Sequence, residues 1–188
     1  MFVKKLLCCG IVSRELEHLL QQRQANVTYL DPALHVDLDR MAVELGRGMQ
    51  QVGEGGALVL GTQCHPDLTN LAAAKGMHGI QAKNCIEMLL GDEMARLDSE
   101  AKTFYITGGW LNNWRGIFVE GLKWDEIDAR QNFGYYDRIL LLDTGMWPID
   151  DEMILEFYEY TQVPVEIVSV TLDNMGKLVD QILQKEGG

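Results

Sequence analysis

Short apolar runs alternate with stretches of helical spacing along the whole chain, and this alternation restricts the folds open to it. Strands that are each followed by a long helix require right-handed crossovers, which give a parallel sheet covered on both faces. We therefore predict one α/β domain over residues 1–188, with a mostly parallel sheet of about six or seven strands and helices on both faces. The predicted strands are Val3–Cys9, Val27–Leu30, Ala57–Leu60, Gly79–Ala82, Thr103–Thr107, Ile139–Leu142 and Val165–Val170.

Polar residues and one proline before the apolar stripes predict where the helices begin. These starts are Ser13, Asp37, Pro66, Asn84, Asn112 or Asn113, Asp150 and Asp173. The stretch from Lys123 to Asp137 has the least regular pattern, and we expect it to be a lid or an irregular packing segment.

The charge balance limits the partners that the chain can have. Sixteen basic residues against twenty-eight acidic ones give a formal net charge of −12, which argues against nucleic acid or an anionic membrane as a partner. No apolar stretch approaches the roughly 20 residues of a membrane-spanning helix. The N-terminal apolar run is short and lacks a small-residue cleavage site, so we expect a cytoplasmic protein. Homo-oligomer formation is left open.

Three cysteines share one kind of position, the break between a predicted strand and the next helix. Cys64 follows the apolar run Ala57–Leu60, and Cys9 and Cys85 lie at equivalent breaks. In an open parallel sheet such breaks lie along the carboxyl edge, where ligands bind. If the three strands are neighbours, the thiols converge there, and helix N-termini favour their thiolate forms, most of all at Cys85 after the N-cap Asn84.

His35 follows the second predicted strand and can project onto the same edge. We therefore predict Cys9, Cys64, Cys85 and His35 as metal ligands. Three thiolates with one imidazole form a tetrahedral zinc set, and three thiolates also suit an iron–sulfur cluster with one open or non-cysteine position. The alternative is that the cysteines only fill the core, because free cysteine is among the most buried residue types. Their spacing matches no short metal motif, so both interpretations remain open.

Glycines and a tryptophan lie at strand ends on the same predicted edge. Gly10, Gly61 and Gly109 would let a ligand approach the backbone, and Trp110 would supply a flat apolar wall, so we predict all four as cofactor-binding residues. The alternative is that the glycines make tight turns and that Trp110 covers the sheet edge. The sequence has no phosphate-loop or dinucleotide motif, so a nucleotide is not favoured.

The remaining cysteine and two further histidines carry weaker signals. Cys8 should point to the opposite side of its strand from Cys9 and pack in the core. His18 lies in a polar part of its helix and should be solvated. For His65 we favour an exposed loop residue over a ligand or a general base.

A family resemblance covers nearly the whole chain and rests on several short motifs. They are Cys9-Gly10-Ile11, Leu30-Asp31 with Leu34-His35, Leu60-Gly61 with Cys64, Asn84-Cys85-Ile86 with Leu89-Leu90-Gly91, and Thr107-Gly108-Gly109-Trp110. In these motifs the chain resembles an uncharacterised family of small cysteine-bearing proteins that are encoded beside corrinoid-dependent methyltransferases. The resemblance implies that the shared cysteines fall at Cys9, Cys64 and Cys85 and the shared histidine at His35.

The chain departs from that family at two places. It has His65 where the family more usually has glycine, and Lys83-Asn84 where the family tends to have His-Asp, and these changes could alter the ligand set. The resemblance implies a setting, one-carbon metabolism with a corrinoid protein or methyltransferase as partner, and no particular reaction. Because that setting needs low-potential electrons, it favours an iron–sulfur cluster, with zinc as the alternative.

Three functions are open at this point. The first is a metal- or cluster-binding protein that serves corrinoid-linked methyl transfer. The second is a small-molecule enzyme that uses one cysteine as a nucleophile, with His35 or His65 as the base. The third is a non-catalytic interaction protein whose cysteines are packing residues.

Overall fold

Seven strands, divided between two sheets, form the frame of the computed structural model, which describes residues 3–184. They are β1 (Lys4–Cys9), β2 (Ala25–Leu30), β3 (Ala57–Val59), β4 (His78–Gly79), β5 (Thr103–Thr107), β6 (Arg138–Asp143) and β7 (Val165–Ser169). Sheet A has the order β2-β1-β3-β4 and sheet B the order β5-β6-β7, and every pairing is parallel. The predicted α/β class with parallel strands is confirmed, and the structure adds that the strands hydrogen-bond as two sheets.

Helices or helical turns occupy most of the connections between these strands. They are α1 (Ser13–Leu20), α2 (Leu38–Val52), α3 (Leu68–Ala74), α4 (Cys85–Leu90), α5 (Glu93–Glu100), α6 (Gly108–Trp114), α7 (Glu126–Phe133), α8 (Asp151–Thr161) and α9 (Asp173–Gln184), with 3-10 turns at Gly10–Val12 and Pro32–Val36 and a π-helical segment at Arg115–Gly121. None of the helices in the described part of the chain has the length and apolarity needed to cross a membrane.

Side-chain caps explain several helix starts. The side chains of Asp37, Asn84 and Asp150 accept hydrogen bonds from the backbone N–H groups of α2, α4 and α8, as their positions in the sequence predict. The start predicted at Asn112 or Asn113 was wrong, because Thr107 caps α6 through a 3.2 Å bond from the Trp110 N–H and the helix begins at Gly108.

The irregular stretch predicted from Lys123 to Asp137 contains a helix, α7. A capping box starts this helix: the Asp125 carboxylate accepts from the backbone N–H of Asp128, and the Asp128 carboxylate accepts from that of Asp125. The sequence hid the helix because its apolar residues do not form one continuous stripe.

Neighbouring residues of β1 pack against different helices. Leu7 lies so close to Gly48 of α2 that a Cβ at that glycine would be 2.6 Å from the leucine Cδ1. Cys8 lies near the carboxylates of Glu15 and Glu17 on α1. Because successive strand residues point to opposite faces, α1 and α2 cover the two faces of sheet A, as predicted.

A buried carboxylate joins the start of α1 to the loop that follows β6. Glu15 is fully buried, and its two oxygens accept hydrogen bonds from Thr144 Oγ1 at 2.8 Å and Trp147 Nε1 at 2.9 Å. Arg14 covers the indole of Trp147, with its guanidinium carbon 4.7 Å from the ring centroid. We call Glu15, Thr144 and Trp147 the Glu15 bridge, and it fastens sheet B to sheet A at their carboxyl ends.

Candidate thiol–imidazole site

One of the predicted ligands lies at or after the carboxyl end of each strand of sheet A. Taken across the sheet in the order β2-β1-β3-β4, these residues are His35, Cys9, Cys64 and Cys85. The sequence could not show whether the strands that precede the three cysteines are neighbours. In the structure β1, β3 and β4 are adjacent. Since adjacent strands are about 4.8 Å apart, the four residues come together at one carboxyl edge.

The strand order reverses at the same edge. The chain leaves β1 towards β2 on one side and later returns to β3 on the other side of β1. Such a reversal is a topological switch point, and open parallel sheets bind ligands in the crevice beside it. Cys9 ends β1 and Cys64 lies in the loop after β3, so the switch point lies between two of the thiols.

His35 is held by the backbone and faces Cys9. Asp31 caps the turn Pro32–Val36 by accepting from the Ala33 N–H at 2.8 Å, and His35 Nδ1 lies 3.0 Å from the Pro32 carbonyl oxygen. Because a carbonyl only accepts, Nδ1 carries the proton and Nε2 presents its lone pair to Cys9 Sγ, 3.7 Å away. Burial lowers the pKa of His35, and the bond to Pro32 opposes that effect. The imidazole is therefore neutral, and its Nε2 lone pair is held in one direction. A neutral imidazole is the form that ligates metals.

Cys9 and Cys85 are buried and Cys64 is half-buried, and the charges of neighbouring ionised thiols would raise the pKa values of Cys9 and Cys85. Burial raises the pKa of Cys9 well above its ordinary value, and the charges that Cys85 and Cys64 would carry raise it further. Burial likewise raises the pKa of Cys85 to about 12, with Cys64 adding to the effect. The pKa of Cys64 is also raised by burial.

These directions correct one expectation about Cys85. Its own backbone N–H and that of Ile86, at the start of α4, do lower the pKa of the thiol, but burial has the larger effect and the thiol stays protonated at neutral pH. A metal centre would change this balance, because a coordinating thiol loses its proton to the ion's charge.

The donor types suit a thiophilic metal, but the side chains are not gathered tightly around one point. Within residues 3–184, no three His, Cys, Asp or Glu side chains form a group that could hold a single ion. The Cys9 sulfur and His35 Nε2 stand 3.7 Å apart, close to the separation that a shared ion would give, since bonds of about 2.3 and 2.05 Å at a tetrahedral angle place sulfur and nitrogen about 3.6 Å apart.

The predicted cofactor glycines lie where loops pack on one another. A Cβ at Gly10 would meet the Leu30 carbonyl and the Pro32 ring, one at Gly61 would overlap the backbone of residues 83 and 84, and one at Gly109 would overlap the carbonyl of Ile11. Close packing of the loops therefore explains all three glycines. Their contact with a cofactor stays a prediction.

Trp110 comes from sheet B and reaches the donors of sheet A. Its ring centroid lies 5.3 Å from that of His35, at an interplanar angle of 56°. The indole N–H also acts on the Cys85 sulfur and lowers the pKa of that thiol. On its other side the indole contacts Phe118 of the π-helical segment, with centroids 5.9 Å apart.

The other cysteine and histidine residues lie in different surroundings. Cys8 is fully buried, and its thiol donates to the Cys9 carbonyl oxygen at 3.3 Å, in keeping with its predicted place in the core. His18 is exposed, as predicted. The prediction for His65 was wrong: the residue is buried, because its Nδ1 accepts from the Asp67 N–H at 3.1 Å and so forms part of the turn before α3.

Sequence reasoning missed the Glu15 bridge. Glu15 stands beside Leu16 and one turn before Leu19, so it lies on the apolar stripe of α1, and this position was the available signal.

The fold and these donors define an α/β protein with three thiols and an imidazole along the carboxyl edge of a four-stranded parallel sheet. The chain belongs to the family described as "Protein of unknown function (DUF1638)", which matches residues 29–179. His35, Cys64 and Cys85 lie inside the matched stretch, and Cys9 precedes it.

Comparison with individual proteins adds little. No curated protein matches the chain. Among solved structures, the chain is similar to an uncharacterized protein from Actinobacillus succinogenes, with 13% identity and a TM-score of 0.43 over 97% of this chain and 92% of that one. A likeness of that size carries no argument about fold or function.

Proposed function

We propose that the protein holds an iron–sulfur cluster through Cys9, Cys64 and Cys85 and acts in or alongside corrinoid-dependent methyl transfer. The observation that carries this proposal is the series of donors at the ends of four neighbouring strands, beside the switch point of the sheet. Packing alone explains a buried cysteine at any one of these positions. It does not explain why each strand of sheet A is followed by a sulfur or imidazole donor.

A cluster requires wider spacing between its donors than a single ion does. Each iron of a cubane cluster takes one protein ligand, so the ligands of a cluster stand farther apart than those of one ion. The three thiols influence each other's pKa, yet no three donors among the described residues are close enough for one ion. On this proposal His35, now 3.7 Å from the Cys9 sulfur, would have to move away from Cys9 to take the position that has no thiolate.

Zinc is the second candidate, and one observation favours it. The 3.7 Å between Cys9 Sγ and His35 Nε2 is close to the separation of two ligands on the same tetrahedral ion. The bond from Nδ1 to the Pro32 carbonyl is the usual support of a metal-bound histidine. A zinc site would require Cys64 and Cys85 to move towards this pair.

Metal analysis of protein purified without oxygen tests both candidates. Brown protein that contains iron and sulfide supports the cluster, and colourless protein with one zinc ion supports the second candidate. Replacement of Cys9, Cys64 or Cys85 by Ala should abolish binding. Cys8→Ala is the matched control, since this neighbouring buried thiol faces away from the site and its loss should leave the metal content unchanged.

The nucleophile hypothesis gives a different result in the same experiment. Cys9 and His35 form a thiol–imidazole pair, but Cys9 is only 4% exposed, which leaves little room for an attacking sulfur. Metal-free protein with one thiol that is alkylated much faster than the others would refute the metal proposal and favour this alternative.

The methyl-transfer setting comes from the family resemblance and needs its own test. Corrinoid proteins are inactivated when Co(I) loses an electron to become Co(II), and a low-potential donor restores them by returning one electron. Reduced wild-type protein should therefore convert a Co(II) corrinoid protein to Co(I), and the Cys64→Ala variant should not. Equal rates of Co(II) reduction by the two proteins would refute a role of the cysteine site in corrinoid reactivation.

A further inference from the structure

Gly109 and Trp110 are the two sequence-predicted site residues that sheet B supplies, and of the two only Trp110 has a side chain that can contact the thiols and the imidazole. It lies in the first turn of α6, directly after β5 of sheet B, and the cap from Thr107 fixes this turn. Gly109 allows this turn to pack against the loop after Cys9, because any Cβ at residue 109 would overlap the Ile11 carbonyl of that loop. The backbone of sheet B therefore delivers the indole to the carboxyl edge of sheet A.

The indole touches donors from two different strands. Its ring packs on His35 after β2, and its N–H lies at the sulfur of Cys85 after β4. Residues that contact ligands from outside fix their orientation and control solvent access to them. Cys85 is only 8% exposed, and Trp110, whose side chain hydrogen-bonds its sulfur, is half-buried and so reaches the surface beside this thiol.

The ring is also anchored on the side away from the thiols. Phe118 packs against Trp110, and Trp124 stacks on Phe118 with centroids 5.9 Å apart and an interplanar angle of 16°. Phe118 belongs to the π-helical segment, a helix type that is rare and frequent at functional sites. The tryptophan is thus held in place by the aromatic core of sheet B.

We propose that Trp110 is a positioning residue and cover of the thiol–imidazole site: it orients Cys85 and His35 and limits the access of reagents and metal to the thiols. This inference deepens the proposed function and rests on the same residues. Trp110 should limit access to the thiols in the metal-free protein as well, whatever group the site binds.

Thiol alkylation in reduced, metal-free protein tests the cover directly. Cys85 in Trp110→Ala should react with iodoacetamide about tenfold faster than in wild type, because removal of the indole opens the layer above the sulfur. Trp110→Phe keeps a ring over the thiol and should restore most of the protection. The control is Trp114→Phe, a buried tryptophan one turn along α6 that packs on Phe157 and Tyr160. Peptide mapping assigns the rates to individual cysteines.

A second arm uses the metal-loaded protein. A chelator should remove metal faster from Trp110→Ala than from wild type. Trp110→Phe, which lacks the N–H at Cys85, should shift the sulfur-to-metal absorption band, whereas Trp114→Phe should leave it unchanged.

The outcomes separate the two proposals. Wild-type protein without metal refutes the proposed function, and the alkylation rates still decide the role of Trp110. Wild-type rates at Cys85 in Trp110→Ala, or an equal acceleration in Trp114→Phe, would overturn the role of Trp110 as a cover, whether or not metal is bound.

Discussion

Replacement of Glu15 by Ala should be one of the most destabilising single changes at the junction of the two sheets. Both carboxylate oxygens are used, at 2.8 Å from Thr144 Oγ1 and 2.9 Å from Trp147 Nε1, and the side chain is fully buried. Alanine leaves the Thr144 hydroxyl and the Trp147 N–H without a partner, which costs about 1–3 kcal/mol of stability for each group. Part of this loss is offset because the variant no longer has to bury a carboxylate. We expect a net loss of about 3 kcal/mol, which lowers the melting temperature of a chain of this size by about 6–12 °C.

Glu15→Gln is the matched control for this prediction. Its amide oxygen can accept from Trp147 and its NH₂ group can donate to the Thr144 hydroxyl, so both contacts survive without the charge. We expect this variant to lose about 1 kcal/mol. Thermal unfolding followed by circular dichroism measures both variants. Our reasoning is refuted if Glu15→Ala melts within about 1 °C of wild type, or if Glu15→Gln is as unstable as Glu15→Ala.

Three further changes test packing and capping in the same assay. Cys8→Ala removes a fully buried thiol and should cost about 1–3 kcal/mol while metal content is unchanged; loss of metal would show that the wrong cysteine of the pair was assigned to the core. Gly109→Ala drives a Cβ into the Ile11 carbonyl and should destabilise by about 2 kcal/mol or more. Gly116→Ala, which meets nothing within 4 Å, is its control and should be neutral or slightly stabilising. Asp125→Ala breaks the capping box of α7 and should cost about 1 kcal/mol; an unchanged melting temperature would mean that the cap contributes nothing.

The frame of the fold could be predicted because its strands are short apolar runs between helical stretches. The strand predicted at Thr103–Thr107 has the same bounds in the structure, and Asp37, Asn84 and Asp150 cap the expected helices. The division into two sheets could not be predicted, because strand pairing depends on packing between distant elements. The π-helical segment was missed for a related reason, since its geometry departs from the helical period on which the sequence reading relied.

The site was only partly visible in the sequence. Parallel topology was enough to predict that Cys9, Cys64, Cys85 and His35 belong to one edge, because each follows a strand. Their protonation states were not visible, since the pKa of Cys85 depends more on burial than on its place at a helix start. The roles of these residues as ligands, and of the neighbouring glycines towards a cofactor, remain predictions.

The four metal-ligand candidates are separated along the chain but lie at or after the carboxyl ends of adjacent strands of sheet A. Any group that all four residues hold acts as a cross-link over the open end of the sheet. This cross-link can form only after all four strands have paired. Its binding free energy then adds to the stability of the whole sheet, because the unfolded chain cannot present these donors together. Occupancy of the edge should therefore slow amide hydrogen exchange as far away as the middle of β1 and β3, and the state of the site could be read from residues that never touch it.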